Sequence, residues 1–251
     1  MSSRREMFLE EMGLTPLWRL RNRESGAGIQ EAELGIQESP DTLELTAPES
    51  SADRSALIAR MSWIELKGAV KSCEACTLAK TRTQSVFGVG DEMADWLFIG
   101  EAPGAEEDAR GEPFVGQAGK LLDNMLAAIG LQRGANVYIA NVLKCRPPNN
   151  RNPEAFEVAQ CNAHLLRQVE LIQPKLIVAL GRFAAQSLLD TDSSIASLRG
   201  RVHRFHQVPT IVTYHPAYLL RSLPDKAKAW ADLCLARKTM QELSAAARTG
   251  A

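Results

Sequence analysis

Four short, almost continuously apolar runs constrain the fold of this 251-residue chain more than any other feature. Segments with helical apolar periodicity separate the runs. Strands that are buried on both faces are apolar throughout, and their alternation with helices is typical of a parallel sheet. We therefore expect an α/β fold, in which a central four-stranded parallel sheet lies between two layers of helices in a three-layer α/β/α arrangement. The expected strands lie at residues 96–100, 137–142, 176–180 and 210–213.

The segments between the runs carry recognisable helix signals. An apolar stripe within residues 121–129 predicts a helix that is closed by Gly130. Asn152 is a good N-cap and Pro153 a good first helical residue, so the pair predicts the start of another helix. Two further helices are expected at residues 182–190 and 225–247.

The first 55 residues differ in composition from the remainder of the chain. Residues 1–55 hold 6 Lys or Arg against 11 Asp or Glu, whereas residues 56–251 hold 23 and 19. A polar, acidic segment buries too little apolar surface to fold alone, so we expect a largely disordered extension followed by one domain, residues 56–251. A protein partner of this acidic extension is a further expectation.

The net charge of −1 hides a mildly basic domain and does not exclude a nucleic-acid substrate.

The distribution of apolar residues also indicates where in the cell the protein is expected. No run approaches the roughly 18 apolar residues of a membrane-spanning helix, and the N-terminal residues lack the apolar centre of a signal peptide. We therefore expect a cytoplasmic monomer without a membrane partner. Structural disulfides are rare in the cytosol, so the five cysteines are interpreted as metal ligands, catalytic groups or core residues.

Four of these cysteines form two pairs. Cys73 and Cys76 have the C-x-x-C spacing that suits two ligands of one metal centre. Cys145 follows the second expected strand, and Cys161 lies in the helix after it. Two such pairs can hold either Zn²⁺ or a [4Fe–4S] cluster, whereas Cys145 and Cys161 also have the character of buried core residues. The residues alone leave these alternatives open.

Unusual residues follow each of the four expected strands. Ligands of parallel α/β sheets bind outside the carboxyl ends of the strands. At those ends the sequence has a Gly- and Pro-rich segment containing Glu101, then Asn141, Gly181 and His215. We therefore expect one active site at this edge of the sheet.

Four sequence blocks connect these residues with a known family. They are GEAPGAEED at residues 100–108, GEPFVGQAG at 111–119, NVLKCRPPNNRNP at 141–153 and HPAYLLR at 215–221. In this order, and interleaved with the four cysteines, they resemble the family 4, iron–sulfur uracil-DNA glycosylases. The resemblance covers approximately residues 73–237 and does not extend to the first 55.

The resemblance implies a DNA repair enzyme with the uracil-DNA glycosylase fold. Such an enzyme hydrolyses the N-glycosidic bond of uracil in single- or double-stranded DNA, releases free uracil and leaves an abasic site. The resemblance further implies a [4Fe–4S] cluster on Cys73, Cys76, Cys145 and Cys161. The alternative is a non-catalytic iron–sulfur module that binds DNA in replication or repair.

The resemblance also implies roles at the substrate. Phe114 resembles the residue that stacks on the flipped uracil. Asn141 can donate to O4 and accept from N3–H, a pattern that cytosine does not match. His215 resembles the donor that stabilises the negative charge on O2 of the leaving uracil.

A carboxylate is expected to activate water or stabilise the positively charged sugar. Glu101 and Glu107 are the candidates among the acidic residues of the first block. Better-known uracil glycosylases have an Asp where this chain has Ala102, so Ala102 is expected at the substrate without a catalytic role.

The last block resembles a loop that enters the DNA minor groove. Leu219 and Leu220 are expected to fill the space that the flipped base leaves, and Arg221 is expected to contact DNA. Residues 193–224 contain no acidic residue, and their arginines, Arg199 among them, fit phosphate contacts.

Overall fold

The computed structural model describes residues 51–249, with side chains described for residues 53–246. Almost all of the expected extension, residues 1–50, lies outside the described residues. The first described helix, α1 (Ser51–Ile58), begins before residue 55. The described fold therefore starts earlier in the chain than the expected boundary at residues 55 and 56.

The four expected strands form the centre of the sheet, as the apolar runs predict. They are β2 (Trp96–Gly100), β3 (Val137–Asn141), β4 (Leu176–Leu180) and β6 (Val208–Thr213), and β2, β3 and β4 are buried along their whole length. These four strands are parallel and lie in the order β3-β2-β4-β6. The expected α/β fold is confirmed.

The sheet has six strands and is mixed, which corrects the expectation of a purely four-stranded parallel sheet. A short strand, β1 (Val89–Gly90), pairs antiparallel with β3, and β5 (Val202–Phe205) pairs antiparallel with β6. His206 and Gln207 form the turn between β5 and β6 with φ of 47° and 71°, as a tight hairpin requires. Both additional strands are edge strands with little burial, so neither produces an apolar run.

Helices pack on both faces of this sheet, and eight described helices follow α1. They are α2 (Trp63–Lys71), α3 (Ala105–Arg110), α4 (Gln117–Ala128), α5 (Ala155–Ile172), α6 (Arg182–Leu189), α7 (Ile195–Leu198), α8 (Pro216–Leu219) and α9 (Asp225–Thr249). Within the described part of the chain, no helix is long and apolar enough to cross a lipid bilayer.

The start of α5 differs from the sequence prediction. Glu154, rather than Asn152, is the N-cap residue, and its backbone N–H donates to the Glu157 carboxylate at 2.9 Å. Arg151 holds the same carboxylate through two hydrogen bonds of 2.9 and 2.6 Å. Because Glu157 is 1% exposed, this ion pair fixes the helix start in place of the Asn-Pro signal.

Successive residues of each central strand enter opposite layers of the core. On one face, Phe98 and Val178 pack in a cluster with Leu126 of α4 and Leu233 of α9. On the other face, the intervening strand residues pack against α5 and α6. Each fully buried Leu or Ile contributes about 1.5–3 kcal/mol, so the two layers hold the sheet and its carboxyl edge rigidly.

Candidate active site

An open cleft of about 820 Å³ lies at the carboxyl ends of β2, β3, β4 and β6. Its walls contain Glu101, Asn141, Gly181 and His215, one residue from the end of each strand. The structure therefore brings together the residues that the parallel-sheet rule places at one site. Ala102, Glu107, Phe114 and Arg221 also line the cleft.

Phe114 lies in the loop between α3 and α4 in an unusual backbone conformation. Its φ of 55° is in the left-handed region, which is costly for a bulky residue and commonly marks a functional site. Arg133 holds the loop by donating to the carbonyls of Pro113 and Phe114, each at 3.0 Å. The Phe114 ring stacks near His215, with 5.5 Å between ring centroids and 30° between the planes.

Two glycines make room for this ring. A Cβ at Gly100 would lie 2.6 Å from Cζ of Phe114 and 2.4 Å from Oδ1 of Asn141. A Cβ at Gly119 would lie 1.8 Å from the carbonyl oxygen of Phe114. Any larger residue at either position would displace the loop or the Asn141 side chain.

Asn141 ends β3, and its side chain is almost fully enclosed. The residue is 2% exposed, and Oδ1 has no hydrogen-bond partner among the residues that the structure describes. An unsatisfied buried oxygen costs about 1–3 kcal/mol, so an N–H group of a ligand would gain that amount by pairing with it. The cleft thus contains an acceptor that is ready for a bound donor.

Lys144 holds the main chain of Asn141 in place, and nothing in the sequence patterns indicated this role. Its Nζ donates to the main-chain carbonyl of Asn141 at 2.8 Å and to Oε1 of Gln168 at 2.5 Å. Gln168 in turn donates to the carbonyl of Phe87 at 2.9 Å. Burial lowers the pKa of Lys144 to about 8, although the nearby cysteines act in the opposite direction.

His215 follows β6 and is held in one protonation state. Burial, together with the nearby Arg221, lowers the pKa of His215 to about 4, while Glu107 acts in the opposite direction. Its Nδ1 accepts from the backbone N–H of Ala217 at 3.1 Å. The neutral ring therefore carries its proton on Nε2, which can donate a hydrogen bond to a ligand.

Glu107 uses both carboxylate oxygens to hold backbone amides. Oε2 accepts from the N–H of Gly104 at 3.1 Å. Oε1 accepts from Val115 at 2.9 Å and from Gly116 at 3.2 Å. This arrangement favours a role in positioning the Phe114 loop over the catalytic role that was expected from the sequence.

Glu101 is the carboxylate better suited to acid–base chemistry. Glu101 is half-buried in the cleft wall. Burial raises the pKa of its carboxyl group to about 7, and the nearby Arg182 acts in the opposite direction. A pKa near neutrality is suited to a general base at physiological pH. The sequence did not single out Arg182, which is exposed at the start of α6 and lines the same cleft.

The DNA-contact residues expected from the last block divide into buried and exposed ones. Leu219 is 1% exposed and belongs to the core cluster, which contradicts its expected role as a residue that enters DNA. Leu220 is 43% exposed, and Arg221 is exposed at the cleft.

Arg199 also differs from its expected role in phosphate contact. Its Nε pairs with the buried Asp232 at 2.7 Å, and its guanidinium lies 4.6 Å from the ring centroid of Tyr214. These interactions commit Arg199 to joining α7 and α9. The expected contact of Arg199 with a DNA phosphate is therefore not supported by the structure.

A second, much smaller cavity lies beside α2 and α5. None of the five cysteines forms a disulfide bond, and four of them line this cavity. The described residues contain no group of three or more His, Cys, Asp or Glu side chains that is placed to hold a metal ion. The four lining cysteines are Cys73, Cys76, Cys145 and Cys161.

The donors around this cavity fit negatively charged sulfur ligands. Arg82 donates to Sγ of Cys145 at 2.8 Å, and the backbone N–H of Lys144 donates to Sγ of Cys161 at 3.3 Å. Burial raises the pKa of Cys161 to about 12 and also raises that of Cys145. A cationic centre bound by the four sulfurs would favour the thiolate form against this effect of burial.

The fold and the cleft define a class of protein. A family model described as the uracil DNA glycosylase superfamily matches residues 87–234, which contain every residue assigned above to the cleft. This chain belongs to the uracil DNA glycosylase superfamily.

Similar proteins narrow the assignment. The chain is 53% identical to a type-4 uracil-DNA glycosylase of Archaeoglobus fulgidus over 159 residues, which are 60% of this chain and 79% of that protein. It is 47% identical to one from Thermotoga maritima, over 61% of this chain and 80% of that protein. It is 46% identical to one from Sulfurisphaera tokodaii, over 62% and 74%. Within the superfamily it therefore belongs to the type-4 group, which confirms the resemblance seen in the four blocks.

Proposed function

We propose that this chain is a DNA repair enzyme that hydrolyses the N-glycosidic bond of uracil in DNA, releasing free uracil and leaving an abasic site. The convergence of Phe114, Asn141 and His215 on one cleft carries this proposal. The names of the type-4 relatives support the same activity.

Asn141 recognises the base. Its Oδ1, which has no partner among the described residues, accepts from N3–H of uracil, and its amide Nδ2 donates to O4. Cytosine has no N3–H and carries an amino group in place of O4, so it would leave buried polar atoms unpaired. Sites of this kind reject the mismatched group by about 10⁴-fold or more.

His215 stabilises the leaving group. As the glycosidic bond breaks, negative charge develops on O2 of uracil, and Nε2–H of the neutral ring donates to that oxygen. One preorganised donor of this kind contributes about 3 kcal/mol to transition-state stabilisation. Phe114 offers an aromatic face to the flipped base, and its loop is held by Arg133 and Glu107.

Glu101 activates water. In its ionised form it takes a proton from the water that attacks C1′ of the sugar, and its negative charge stabilises the positive charge of the breaking sugar. The raised pKa of Glu101 supports this assignment.

Leu220 enters the stack as the base leaves it, and Arg182 and Arg221 contact phosphates at the mouth of the cleft.

The four cysteines of the small cavity hold a [4Fe–4S] cluster. Their shared cavity and the Arg82 donor support this proposal over an assignment of Cys145 and Cys161 as ordinary core residues. Cys73 and Cys76 after α2, Cys145 after β3 and Cys161 on α5 would hold the cluster between these segments, and glycosidic hydrolysis itself requires no transfer of electrons.

A base-release assay tests the proposed activity. The chain is incubated with single- and double-stranded oligonucleotides that contain one uracil, and alkali then cleaves the strand at abasic sites. We expect cleavage at uracil in both substrates and none in matched oligonucleotides with thymine or cytosine. Binding without base release would support the DNA-binding module instead and would overturn the enzymatic assignment.

A further inference from the structure

His164 lies beside the four cysteines, although no catalytic step uses it. It is on α5, one turn after Cys161, and is 2% exposed. Its side chain lines the same small cavity as the cysteines.

The hydrogen bond with Arg54 fixes the proton of this histidine. Nη2 of Arg54 lies 2.9 Å from Nε2 of His164. Because a guanidinium can only donate, Nε2 must accept, and the neutral ring then carries its proton on Nδ1. Burial, with the nearby charges of Arg54 and Lys144, lowers the pKa of His164 to about 4, which is consistent with a neutral ring.

The resulting Nδ1–H has no partner among residues 51–249. A buried, unpaired donor costs about 1–3 kcal/mol. Four of the nine other residues that line its cavity are cysteines, so sulfur atoms lie around the same small space. A cluster in this cavity would bring thiolate and sulfide acceptors to a donor that otherwise has none.

Arg54 belongs to the same arrangement. The same Nη2 donates to Sγ of Cys73 at 3.4 Å, and Nη1 donates to the carbonyl of Gln160 at 2.9 Å. Arg54 lies on α1, outside the residues that the superfamily model matches. It therefore adds a contact from α1 to the cysteine cavity and orients the ring of His164.

We infer that His164 donates its Nδ1–H to a sulfur atom of the cluster and, with Arg54 holding its ring, controls the reduction potential and lifetime of that cluster. The inference rests on the proposed [4Fe–4S] cofactor. Hydrogen bonds to cluster sulfurs stabilise the added negative charge of the reduced state and so raise the reduction potential.

Two substitutions separate the two ring nitrogens. In His164→Asn, the side-chain amide N–H lies near the former Nδ1 position, whereas in His164→Gln the amide lies near the former Nε2 position. We expect H164Q to have a lower reduction potential and to lose its cluster in air several-fold faster than the wild type. We expect H164N to remain close to the wild type in both measurements. His206→Asn, in the exposed turn after β5, is the matched control and should change neither.

The measurements use the full chain purified without oxygen, with iron and acid-labile sulfide quantified in every variant. Wild-type values in H164Q, or equal changes in H164N and H164Q, would overturn the inference, because the Nδ1–H would then have no specific effect. Should H164Q not fold, Arg54→Met supplies the second test: we expect a lower potential, and an unchanged one would overturn the inference. Stoichiometric zinc without sulfide in the wild type would overturn both the cofactor and this inference, while uracil release, assayed separately, would still report on the proposed activity.

Discussion

Glu101 illustrates how burial at a strand end creates a reactive group. The carboxylate follows β2 and is half-buried, so its pKa rises to about 7 even though Arg182 is nearby. A base must be ionised to take a proton from water, so activity should increase as the pH rises through the pKa of Glu101.

The corresponding prediction concerns the pH profile of kcat/KM. For the wild type we expect an acidic limb with an apparent pKa of about 7. Glu101→Gln should lower kcat/KM by about 10²-fold or more and remove that limb. Glu106→Gln is the control, because Glu106 is an exposed neighbour that pairs with Arg110 on the same helix. An unaltered limb in E101Q would assign the base to another group.

Burial lowers the pKa of two histidines, whereas it raises the pKa of Glu101. His164 and His215 both have a pKa of about 4, below the ordinary value of 6.5. Between these values the unfolded chain binds protons that the folded chain does not, so both residues favour unfolding as the pH falls from about 6.5 to 4. Glu101 acts in the opposite direction: the folded chain keeps its proton between pH 4.5 and about 7, where the unfolded chain releases it, so Glu101 favours unfolding as the pH rises through this range.

Asn141 carries a prediction about the recognition of uracil. Asn141→Ala removes both the acceptor for N3–H and the donor to O4, so we expect kcat/KM for uracil release to fall by about 10²–10³-fold. Because the side chain accepts no hydrogen bond from described residues at Oδ1, the variant should remain folded. Asn124→Ala, on the exposed side of α4, is the control and should retain activity. Retained activity in N141A, measured by single-turnover base release, would refute its role in recognition.

At the scale of an element, the end of α8 places two adjacent leucines, Leu219 and the C-cap residue Leu220, in opposite surroundings. Leu219 packs in the core with α4 and α9, whereas Leu220 is 43% exposed beside the cleft. A short helix after a buried strand forces this division, since consecutive residues on a helix face different directions. The sequence showed only that both residues are apolar.

This division predicts different defects for the two substitutions. Leu219→Ala leaves a cavity and should lower the free energy of unfolding by about 2–5 kcal/mol, as measured by denaturant titration. Leu220→Ala should leave stability nearly unchanged. It should slow uracil release from double-stranded DNA more than from single-stranded DNA, because only the duplex must be held open. Equal effects on both substrates would show that Leu220 does not fill the vacated stack.

The sequence determined the central elements better than the peripheral ones. β2, β3 and β4 were predictable because both of their faces are buried and each is a continuous apolar run. The edge strand β5 was not, because its Val202 is 48% exposed and its pairing depends on a tight turn. Cleft residues such as Asn141 could be located because they follow those predictable strands.

Supporting residues of the site could not be located in the same way. Lys144 and His164 are buried, although Lys is ordinarily a surface residue, and their partners lie far away in the sequence. Only the packed structure brings Gln168 to Lys144 and Arg54 to His164. Glu107 could be recognised as acidic, but its use in holding three amides depends on the folded loop.

For the whole molecule, the uneven charge distribution leads to a prediction about DNA binding. Residues 1–55 carry 6 basic and 11 acidic side chains, while the remainder carries 23 and 19. Deleting residues 1–50 keeps α1 and Arg54 and should tighten nonspecific DNA binding at low salt, because the acidic segment no longer opposes phosphate contacts. Affinity is measured by fluorescence anisotropy over a range of salt concentrations. Equal affinity of the two forms at low salt would show that the acidic segment does not compete with DNA.

Lys144 lines the cysteine cavity and is hydrogen-bonded to a residue of the cleft wall. Its Nζ donates to the carbonyl of Asn141 in the cleft wall, and its backbone N–H donates to Sγ of Cys161. If occupancy of the cysteine cavity changes the affinity of the cleft for uracil by some factor, thermodynamic reciprocity requires uracil to change the affinity of the cysteine cavity by that same factor. A DNA lesion held in the cleft would then act as a ligand that retains the cluster, and the rate of cluster loss would report on whether the enzyme is engaged with damage.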